Sequence, residues 1–250
     1  MNKYICLLFL LMLSLGCEDD HKLTLEPYKF QGESCTDCPN VELNLLKALD
    51  DTKLSGAVNN AMREEVIVLL SFDEESEVDN VKKAIASFSK SYMDLKERFP
   101  DESIGWEAKL DCEVAYEDKN ILSLILSSYT FTGGAHGYSA TTFLNFDKIT
   151  GEELENWELF EDVQGFTDYT ETKFRIQEDV PQDSNINGTG FMFNGDHFHL
   201  AENLGYTQHG VQLVYNQYEI ASYADGPKII IIPFAEANKY LKRPTNKKGL

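Results

Sequence analysis

A glycine-rich loop that holds one histidine is the first place in this chain where side-chain chemistry could occur. The loop reads Gly133, Gly134, Ala135, His136 and Gly137, and glycines so close together favour positive φ angles or close approach by another segment. A neutral imidazole there could act as a general base or as a ligand near neutral pH. It could equally bond a nearby carbonyl and fix a hairpin. We predict that the three glycines and the histidine form a binding loop.

Catalysis by His136 is the alternative interpretation of this loop. No serine or cysteine nucleophile in a recognisable local motif accompanies the histidine. The sequence also lacks Gly-x-Ser-x-Gly, P-loop, His-Glu-x-x-His and EF-hand patterns. The leading prediction therefore contains no catalytic residue, and His136 is the catalytic candidate only in the alternative.

A second histidine-containing segment, Asp196-His197-Phe198-His199, raises the question of a metal site. If residues 196–200 form a strand, His197 and His199 share one face and could chelate a metal with His209 or a carboxylate. An exposed strand face that carries two histidines is the other interpretation. A metal site needs a third ligand in suitable geometry. We predict no metal and no cofactor, with His197 and His199 as the alternative metal ligands.

Three cysteines are candidates for a structural disulfide. Cys35 and Cys38 have the spacing of a redox motif, but such motifs open a helix after a strand, and here the extended segment 41–45 follows. No second Cys or His pair lies at zinc-finger spacing. We predict a disulfide between Cys35 and Cys38, or between one of them and Cys112. Cys112 falls on the apolar face of an alternating strand, so a buried free thiol is also open.

Aromatic residues cluster near the end of the chain, at Tyr215, Tyr218, Tyr223 and Phe234. They could form a surface for glycan stacking or for a protein partner. We expect at least half of them to pack into the core instead, and we predict Tyr218 and Tyr223 as binding residues.

The elements that must position these residues follow from hydrophobic periodicity. Apolar residues at helical spacing predict helices over 55–70 and 78–99, the second capped by Ser76 with Asp79. Period-two alternation predicts a half-buried strand over 106–116. Further strands are predicted at 41–45, 121–126, 138–146, 191–200, 211–215 and 228–232, with helices at 154–160, 167–179 and 234–241. Early helices and sequence-adjacent strands indicate an α+β fold with an antiparallel sheet packed against helices, in two adjacent or intertwined subdomains.

The N-terminal residues predict export and a lipid anchor. Lys3 precedes an apolar run over 4–15 that is too short to span a bilayer and is typical of a signal peptide. Gly16-Cys17 then resembles the lipobox of bacterial lipoproteins, which implies cleavage after residue 16 and lipidation of Cys17. An ordinary signal peptide is the alternative. The acidic run 18–20 resembles a surface-export signal of some lipoproteins, or is a solvated linker.

The net charge of the chain limits the kinds of partner that it is expected to bind. The chain has a formal charge of −20, and removal of residues 1–16, with their single lysine, changes it to −21. Such a surface repels nucleic acid and attracts cationic partners, although acidity also keeps an exported protein soluble. We expect no nucleic-acid partner.

Several motifs together resemble a tandem of bacterial envelope domains of unknown function. The motifs are Tyr129-Thr-Phe-Thr-Gly-Gly-Ala-His-Gly137, the turn Asn145–Gly151, Leu159-Phe160 and the run Val214–Phe234. This tandem occurs in lysozyme-sensing anti-sigma factors, N-terminal to a peptidoglycan deacetylase catalytic domain, and in stand-alone lipoproteins. The resemblance implies an α+β fold and an extracytoplasmic role linked to the cell wall or lysozyme. It carries over no catalytic residues, because the deacetylase chemistry belongs to a separate domain.

These observations combine into one organisation. We predict a lipoprotein signal peptide over 1–16, a tether over 17–34, an N-terminal α+β domain over 35–150, a C-terminal α+β domain over 151–242 and a tail over 243–250. The expected function is a non-catalytic cell-envelope lipoprotein that binds a lysozyme-like cationic protein or peptidoglycan. The alternative is an envelope hydrolase that acts on cell-wall glycan or peptide through His136. We expect the anchor to lie in the outer membrane, with surface exposure left open.

Overall fold

The computed structural model describes residues 22–31, 38–72, 77–100 and 104–245. The predicted signal peptide, Cys17 and Cys35 lie outside these ranges. Within them the chain forms a six-stranded sheet with two long helices on one face, and a second layer built around a three-stranded sheet. The predicted α+β class is therefore confirmed.

The large sheet follows chain order from edge to edge. Its strands are β1 (Leu25–Gln31), β2 (Asn40–Ala48), β3 (Glu107–Glu117), β4 (Ile121–Phe131), β5 (Tyr138–Asp147) and β6 (Glu152–Leu154). All neighbours pair antiparallel except β2 and β3, which are parallel. A parallel pair needs a long crossover connection, and the two helices between β2 and β3 provide it. The sheet that the sequence predicts as antiparallel is therefore mixed, with one parallel pair.

The crossover helices are α1 (Lys53–Leu70) and α2 (Val81–Arg98). The Thr52 hydroxyl accepts a bond from the Ser55 N–H at the start of α1, and the Asn80 side chain accepts one from the Lys83 N–H at the start of α2. The cap of α2 is therefore Asn80, whereas the predicted cap residue Ser76 lies outside the described residues. The buried faces of both helices pack on the large sheet and form the first hydrophobic core.

The first strand corrects the predicted tether. Residues 25–31 form β1, an edge strand that pairs antiparallel with β2, from Leu25 against Ala48 to Gln31 against Glu42. The sequence of this segment predicts a tether because it is polar and has little apolar periodicity. An edge strand tolerates this composition, since only one of its edges is paired and most of its residues remain exposed.

The alternation in β3 ends at a bulge. Ala108, Leu110 and Cys112 are buried on the helix side as the period-two pattern predicts, but Val114 is 41% exposed. The register with β4 shifts between Val114 and Tyr116. A bulge inserts an extra residue and reverses the facing of the residues after it, so Tyr116 enters the second core instead of the first.

The second layer contains the C-terminal elements. They are α3 (Val163–Gln177), β7 (Asn203–Tyr206), β8 (Val211–Tyr215), β9 (Lys228–Ile232) and α4 (Phe234–Ala237), with 3₁₀ turns at Asn156–Leu159, Ile186–Thr189, Asn194–Asp196 and Tyr223–Asp225. The strand predicted over 191–200 is absent from this described segment. Gly195 and Asp196 both have φ of 61°, a left-handed conformation that a strand cannot contain.

The two layers are joined through β4 and β5. Ser123 donates to the Asn145 side chain (2.7 Å), and the Asn145 amide donates to the Leu204 carbonyl of β7 (2.9 Å). Gly205 lies so close to Phe143 that a Cβ atom there would be 2.3 Å from the ring. β4 itself contributes to both hydrophobic cores.

The C-terminal residues also pack against this junction. The Arg243 guanidinium donates to Asp147 at the end of β5, and Asn238 exchanges two hydrogen bonds with the backbone of Thr245. Residues 243–245, which the sequence analysis assigned to the tail, therefore pack against the folded chain. Residues 246–250 lie outside the described ranges.

Candidate functional site

The β4–β5 hairpin presents the glycine-rich loop at its open end. The last paired residues are Thr130 and Tyr138. Gly133 and Gly134 have φ of 105° and 88°, a region that favours glycine. Gly137 is needed for a different reason, because a Cβ atom there would lie 2.4 Å from the Tyr129 ring. The loop conformation thus depends on all three glycines, two for backbone angle and one for space.

His136 projects from this loop onto a residue of the other half of the chain. Its ring stacks on Tyr223 with centroids 3.7 Å apart and planes 18° apart. The Gly137 carbonyl lies 3.1 Å from His136 Nδ1 and accepts a bond of 3.1 Å from the Tyr223 hydroxyl. An imidazole that donates from Nδ1 leaves Nε2 as an acceptor in its neutral form, and among the described residues Nε2 has no partner. The carbonyl contact is the structural role that the sequence left open.

Tyr218 extends the aromatic surface beside Tyr223. The two rings have centroids 5.6 Å apart, and the Tyr218 side chain is 56% exposed. Tyr218 also has φ of 71°. A bulky residue in the left-handed region is strained, and such residues cluster at ligand-binding positions. Packing does not explain this strained conformation, because the large aromatic ring of Tyr218 is mostly exposed to solvent.

The corner that carries Tyr218 is fixed to β5 by polar contacts. The Asn216 amide accepts from the Thr141 N–H (2.8 Å) and donates to the Thr141 carbonyl (3.0 Å), as a neighbouring strand would. The Tyr138 hydroxyl donates to the Gln217 carbonyl (3.5 Å). The side-chain oxygen of Gln217 is buried and has no partner among the described residues. The corner is therefore held rigidly against the loop, with one acceptor unused.

Two carboxylates make the neighbourhood acidic. Glu219 accepts from the backbone N–H groups of Asn216 (2.8 Å) and Glu202 (2.9 Å). Burial, reinforced by the charge of Glu202, raises the pKa of the Glu219 carboxyl. Burial, followed by the charges of Glu219 and Glu202, raises the pKa of the Tyr138 hydroxyl. The ring of Tyr138 is 40% exposed, so these negative charges lie beside the aromatic surface.

We name the set His136, Tyr138, Tyr218 and Tyr223 the histidine–tyrosine surface. The predicted binding residues on the loop and at the corner are brought together here, across 86 positions of sequence. Tyr138, Glu202 and Glu219 were missed by the sequence reasoning. Glu219 sits inside the motif that carried the family resemblance, but a glutamate in a loop gives no signal that it is half-buried. Tyr138 was assigned only to a strand.

Tyr215 and Phe234 lie in the second core, and neither is exposed. The four predicted aromatic residues therefore divide equally between core and surface.

The alternative metal ligands have different surroundings. His197 is exposed and follows the 3₁₀ turn, whereas the His199 ring packs against Phe193 and Tyr215, with Nδ1 3.0 Å from the Leu200 carbonyl. The strand that would have given both imidazoles one face is absent from residues 196–200. Among the described residues, no group of three potential ligands is arranged to hold a metal ion.

The cysteines divide into one bonded and one free. Cys38 is disulfide-bonded, and its partner lies outside the described residues. Cys112 is free and buried, and burial raises the pKa of its thiol to about 12. A disulfide to Cys112 is therefore not formed, because its side chain points into the first core between the sheet and the helices.

Among the described residues, no side chain is placed to act as a nucleophile with His136, as the catalytic alternative requires. No hydroxyl or thiol donates to the His136 ring, whose contacts there are Gly137 and Tyr223. In the same described residues, no helix combines the length and apolar character that crossing a membrane requires. The arrangement is suited to contact with a ligand through exposed rings, a free imidazole nitrogen and nearby carboxylates.

Comparison with known proteins matches two family models to successive segments of the chain. Residues 33–139 match the family model described as Deacetylase PdaC, and residues 142–235 match a protein of unknown function, DUF3298. Both are bacterial envelope-associated families. The histidine–tyrosine surface takes its histidine from the first match and Tyr218 and Tyr223 from the second.

Two solved structures share the fold. A DUF3298 family member from Bacteroides fragilis is 22% identical, with a TM-score of 0.68, and the alignment covers 89% of this chain and 94% of that one. A DUF3298 family protein from Pseudomonas aeruginosa PAO1 is 23% identical, with a TM-score of 0.61 and coverage of 90% and 97%. No curated protein matches the chain.

Proposed function

We propose that this chain, which carries PdaC and DUF3298 domains in tandem, is a cell-envelope lipoprotein that binds a basic protein through the histidine–tyrosine surface. The observation that carries the proposal is the His136–Tyr223 stack. It closes a glycine loop of the first domain onto a corner of the second. A ligand seated there contacts both domains at once, as expected of a binding site made by the tandem.

Exposed aromatic rings support a protein interface. Tyrosine supplies a large apolar contact area with a polar tip and is enriched at the centres of protein interfaces. Tyr218 and Tyr138 are 56% and 40% exposed, and the backbone around them is held by the Asn216–Thr141 bonds. Little conformational freedom is then lost when a partner binds, which favours affinity.

Charge supports a basic partner. Glu202 and Glu219 act electrostatically on Tyr138 of this surface, and the whole chain carries a formal charge of −20. Opposite charges on two proteins accelerate their encounter and disfavour wrong partners. We therefore favour a cationic protein of the lysozyme type over an uncharged glycan.

Binding is tested with hen egg-white lysozyme as the basic probe and residues 18–250 as the target. This fragment retains every described residue. We expect saturable binding that weakens as salt is raised from low to physiological ionic strength, because exposed charges are screened. Tyr218→Gly should weaken binding about 30-fold, as loss of an interface hot spot does.

The Tyr218→Gly substitution separates binding from folding. Glycine adopts the left-handed φ of 71° without strain, so the variant should be at least as stable as the parent chain. The matched control is Tyr28→Gly, which removes another exposed tyrosine ring (43% exposed) on β1, four strands away from β5 in the large sheet. If Tyr218→Gly and Tyr28→Gly bind lysozyme equally well, the assigned surface is wrong.

The same purified protein and its variants also test the two alternatives, a glycan ligand and catalysis. Purified muropeptides that bind when lysozyme does not, with the same Tyr218→Gly effect, would replace the protein partner by cell-wall glycan. Turnover of a peptidoglycan substrate that is lost in a stably folded His136→Ala variant would replace the binding function by hydrolysis. Absence of binding to either probe would refute the proposal.

The lipid anchor is tested separately. We propose that Cys17 is the first residue of the mature chain and carries acyl chains that hold the protein in the outer membrane. Two or more acyl chains give effectively permanent attachment, whereas one is reversible. Intact-mass analysis of the membrane fraction should show a lipidated chain that begins at Cys17. A chain that retains Met1, or begins at an unmodified residue, contradicts the anchor.

A further inference from the structure

The first domain contains an apolar groove far from the histidine–tyrosine surface. β1 is the edge of the large sheet and is only partly covered by α1 and α2. Two cavities lie along it, one of about 530 Å³ and one of about 330 Å³. Phe30, Val41 and Ile85 line the larger, and apolar side chains of β2, α1 and α2 line the smaller. We call the two cavities together the β1 groove.

Neighbouring residues of α2 line the two cavities. Val81 lines the smaller cavity and its neighbour Lys82 lines the larger. On β2 the cavities are marked by Val41 and Leu45, which lie roughly 13 Å apart at the rise of a strand. The two cavities therefore lie in succession along β2, an arrangement that suits an extended hydrocarbon chain.

Cationic side chains border the groove on an otherwise acidic protein. Lys82 lines the larger cavity, and Lys47 and Arg63 line the smaller. Within the described residues Lys47 and Lys82 form no ion pair. Arg63 forms one with its neighbour Glu64 at 3.7 Å, a weak exposed contact. Arg63 also donates to the Asn60 side chain. Two lysines without an ion pair among the described residues, with an arginine beside them, give the apolar groove a local positive charge that fits an anionic group with a long apolar tail.

The edge of β1 is protected against an added peptide strand. Leu49 N–H donates to the Thr24 carbonyl, and in an antiparallel pair such bonded positions alternate. The backbone groups of Pro27 and Lys29 therefore point away from β2, toward the open edge. Proline lacks a donor and lysine brings charge, both of which hinder strand addition. The groove is thus more suited to a ligand inserted between β1 and the helices than to a peptide strand.

We propose that the β1 groove binds a free long-chain fatty acid. The hydrocarbon tail occupies the larger cavity among Phe30, Val41 and Ile85. The carboxylate lies at the smaller cavity, between Lys47 and Arg63. This site is independent of the lysozyme-type partner proposed above, because no residue is shared between the two surfaces.

The test is a calorimetric titration of residues 18–250 with monomeric oleate. We expect saturable binding of one oleate and at least tenfold weaker binding of methyl oleate, which lacks the charge that Lys47 and Arg63 would meet. Arg63→Glu should weaken oleate binding at least tenfold. Lys53→Glu, the same charge change on the same helix outside both cavities, should leave affinity within threefold.

A second substitution tests the tail cavity. Ala86 is exposed on α2 and lines the larger cavity, so Ala86→Trp should fill it and abolish oleate binding. Val68→Trp, at a 79% exposed position of α1, is the matched control. Thermal unfolding checks both variants, and the Arg63→Glu and Lys53→Glu pair decides if Ala86→Trp does not fold. Unsaturable oleate uptake, equal affinity for methyl oleate, or full affinity in folded Ala86→Trp would overturn the proposal.

Discussion

Replacement of Asp147 by asparagine should destabilise the chain strongly, although one atom type changes. Asp147 ends β5, and its side chain is only 6% exposed. One carboxylate oxygen accepts from Arg243 Nε (3.1 Å) and Nη2 (2.7 Å). The other accepts from the backbone N–H groups of Ile149 (2.7 Å) and Thr150 (3.2 Å). The residue thus joins the β5–β6 turn to the C-terminal segment.

The magnitude is set by the hydrogen bonds that an amide can still make at this position. The asparagine oxygen can keep the two turn bonds, but its NH₂ group then faces the guanidinium and donates toward another donor. Loss of one partner of a buried ion pair costs about 3–5 kcal/mol. Because the Arg243 side chain is 30% exposed and water can reach it, we expect about 2–3 kcal/mol, or a fall in Tm of roughly 5–10 °C.

The effect should depend on pH in a defined direction. Burial opposes ionisation of Asp147, but the Arg243 bond and the two turn bonds outweigh it, so the pKa of this carboxyl is lowered. A lowered folded-state pKa contributes stability above the unfolded pKa of about 3.9 and loses it as pH falls through the folded value. The gap between parent and Asp147→Asn should therefore be full at neutral pH and shrink in acid.

Urea unfolding at pH 7 and in acid measures both expectations. The matched control is Glu152→Gln, which breaks the exposed Lys53–Glu152 bridge (side chains 62% and 58% exposed) and should leave the free energy of unfolding nearly unchanged, because water already screens that pair. A double-mutant cycle with Arg243→Met should show a coupling of more than about 1 kcal/mol. An Asp147→Asn effect no larger than that of Glu152→Gln would refute the reasoning.

Three further results are expected. Gly137→Ala should destabilise the folded chain by about 1–3 kcal/mol, because its Cβ would meet the Tyr129 ring at 2.4 Å. The variant should remain folded by circular dichroism and should bind lysozyme more weakly than the parent chain. Cys112 should react with a thiol reagent only on unfolding, since it is buried and burial raises its pKa to about 12; rapid labelling of native protein would contradict this. Glu219 has a raised pKa, so its contribution is full below about pH 4.3 and is lost as pH rises through the folded pKa; Glu219→Gln should flatten that part of the stability–pH curve, and an unchanged slope would be the contrary result.

The sequence by itself determined the elements whose signals are local. Helical periodicity located α1 and α2 to within a few residues, because one face of each helix must be apolar to pack on a sheet. The alternation up to Cys112 identified β3, and the glycines around His136 identified a loop that demands positive φ. These features depend on residues that are close together in the sequence, so the sequence pattern alone predicts them.

Tertiary structure decided the features that depend on distant partners. The sequence of β1 resembles a polar tether, because its hydrogen-bond partners lie in β2 and are not visible in β1 itself. β2 can pair with β3 in parallel because α1 and α2 form the connection between them. Composition did not separate buried Tyr215 from exposed Tyr218, since both are tyrosines in one short segment. Burial is set by which side of a strand or corner meets another layer.

The histidine–tyrosine surface shows the same division. Each of its predicted residues was identified from local motifs, but their contact across 86 positions was not encoded in any local pattern. The Asn216 side chain creates that contact by pairing with the Thr141 backbone at the free edge of β5. A side chain that pairs with a strand in place of another strand produces no hydrophobic periodicity in the sequence. The sequence therefore identified the candidate binding residues one by one, and the contact between the two halves of the chain placed them together.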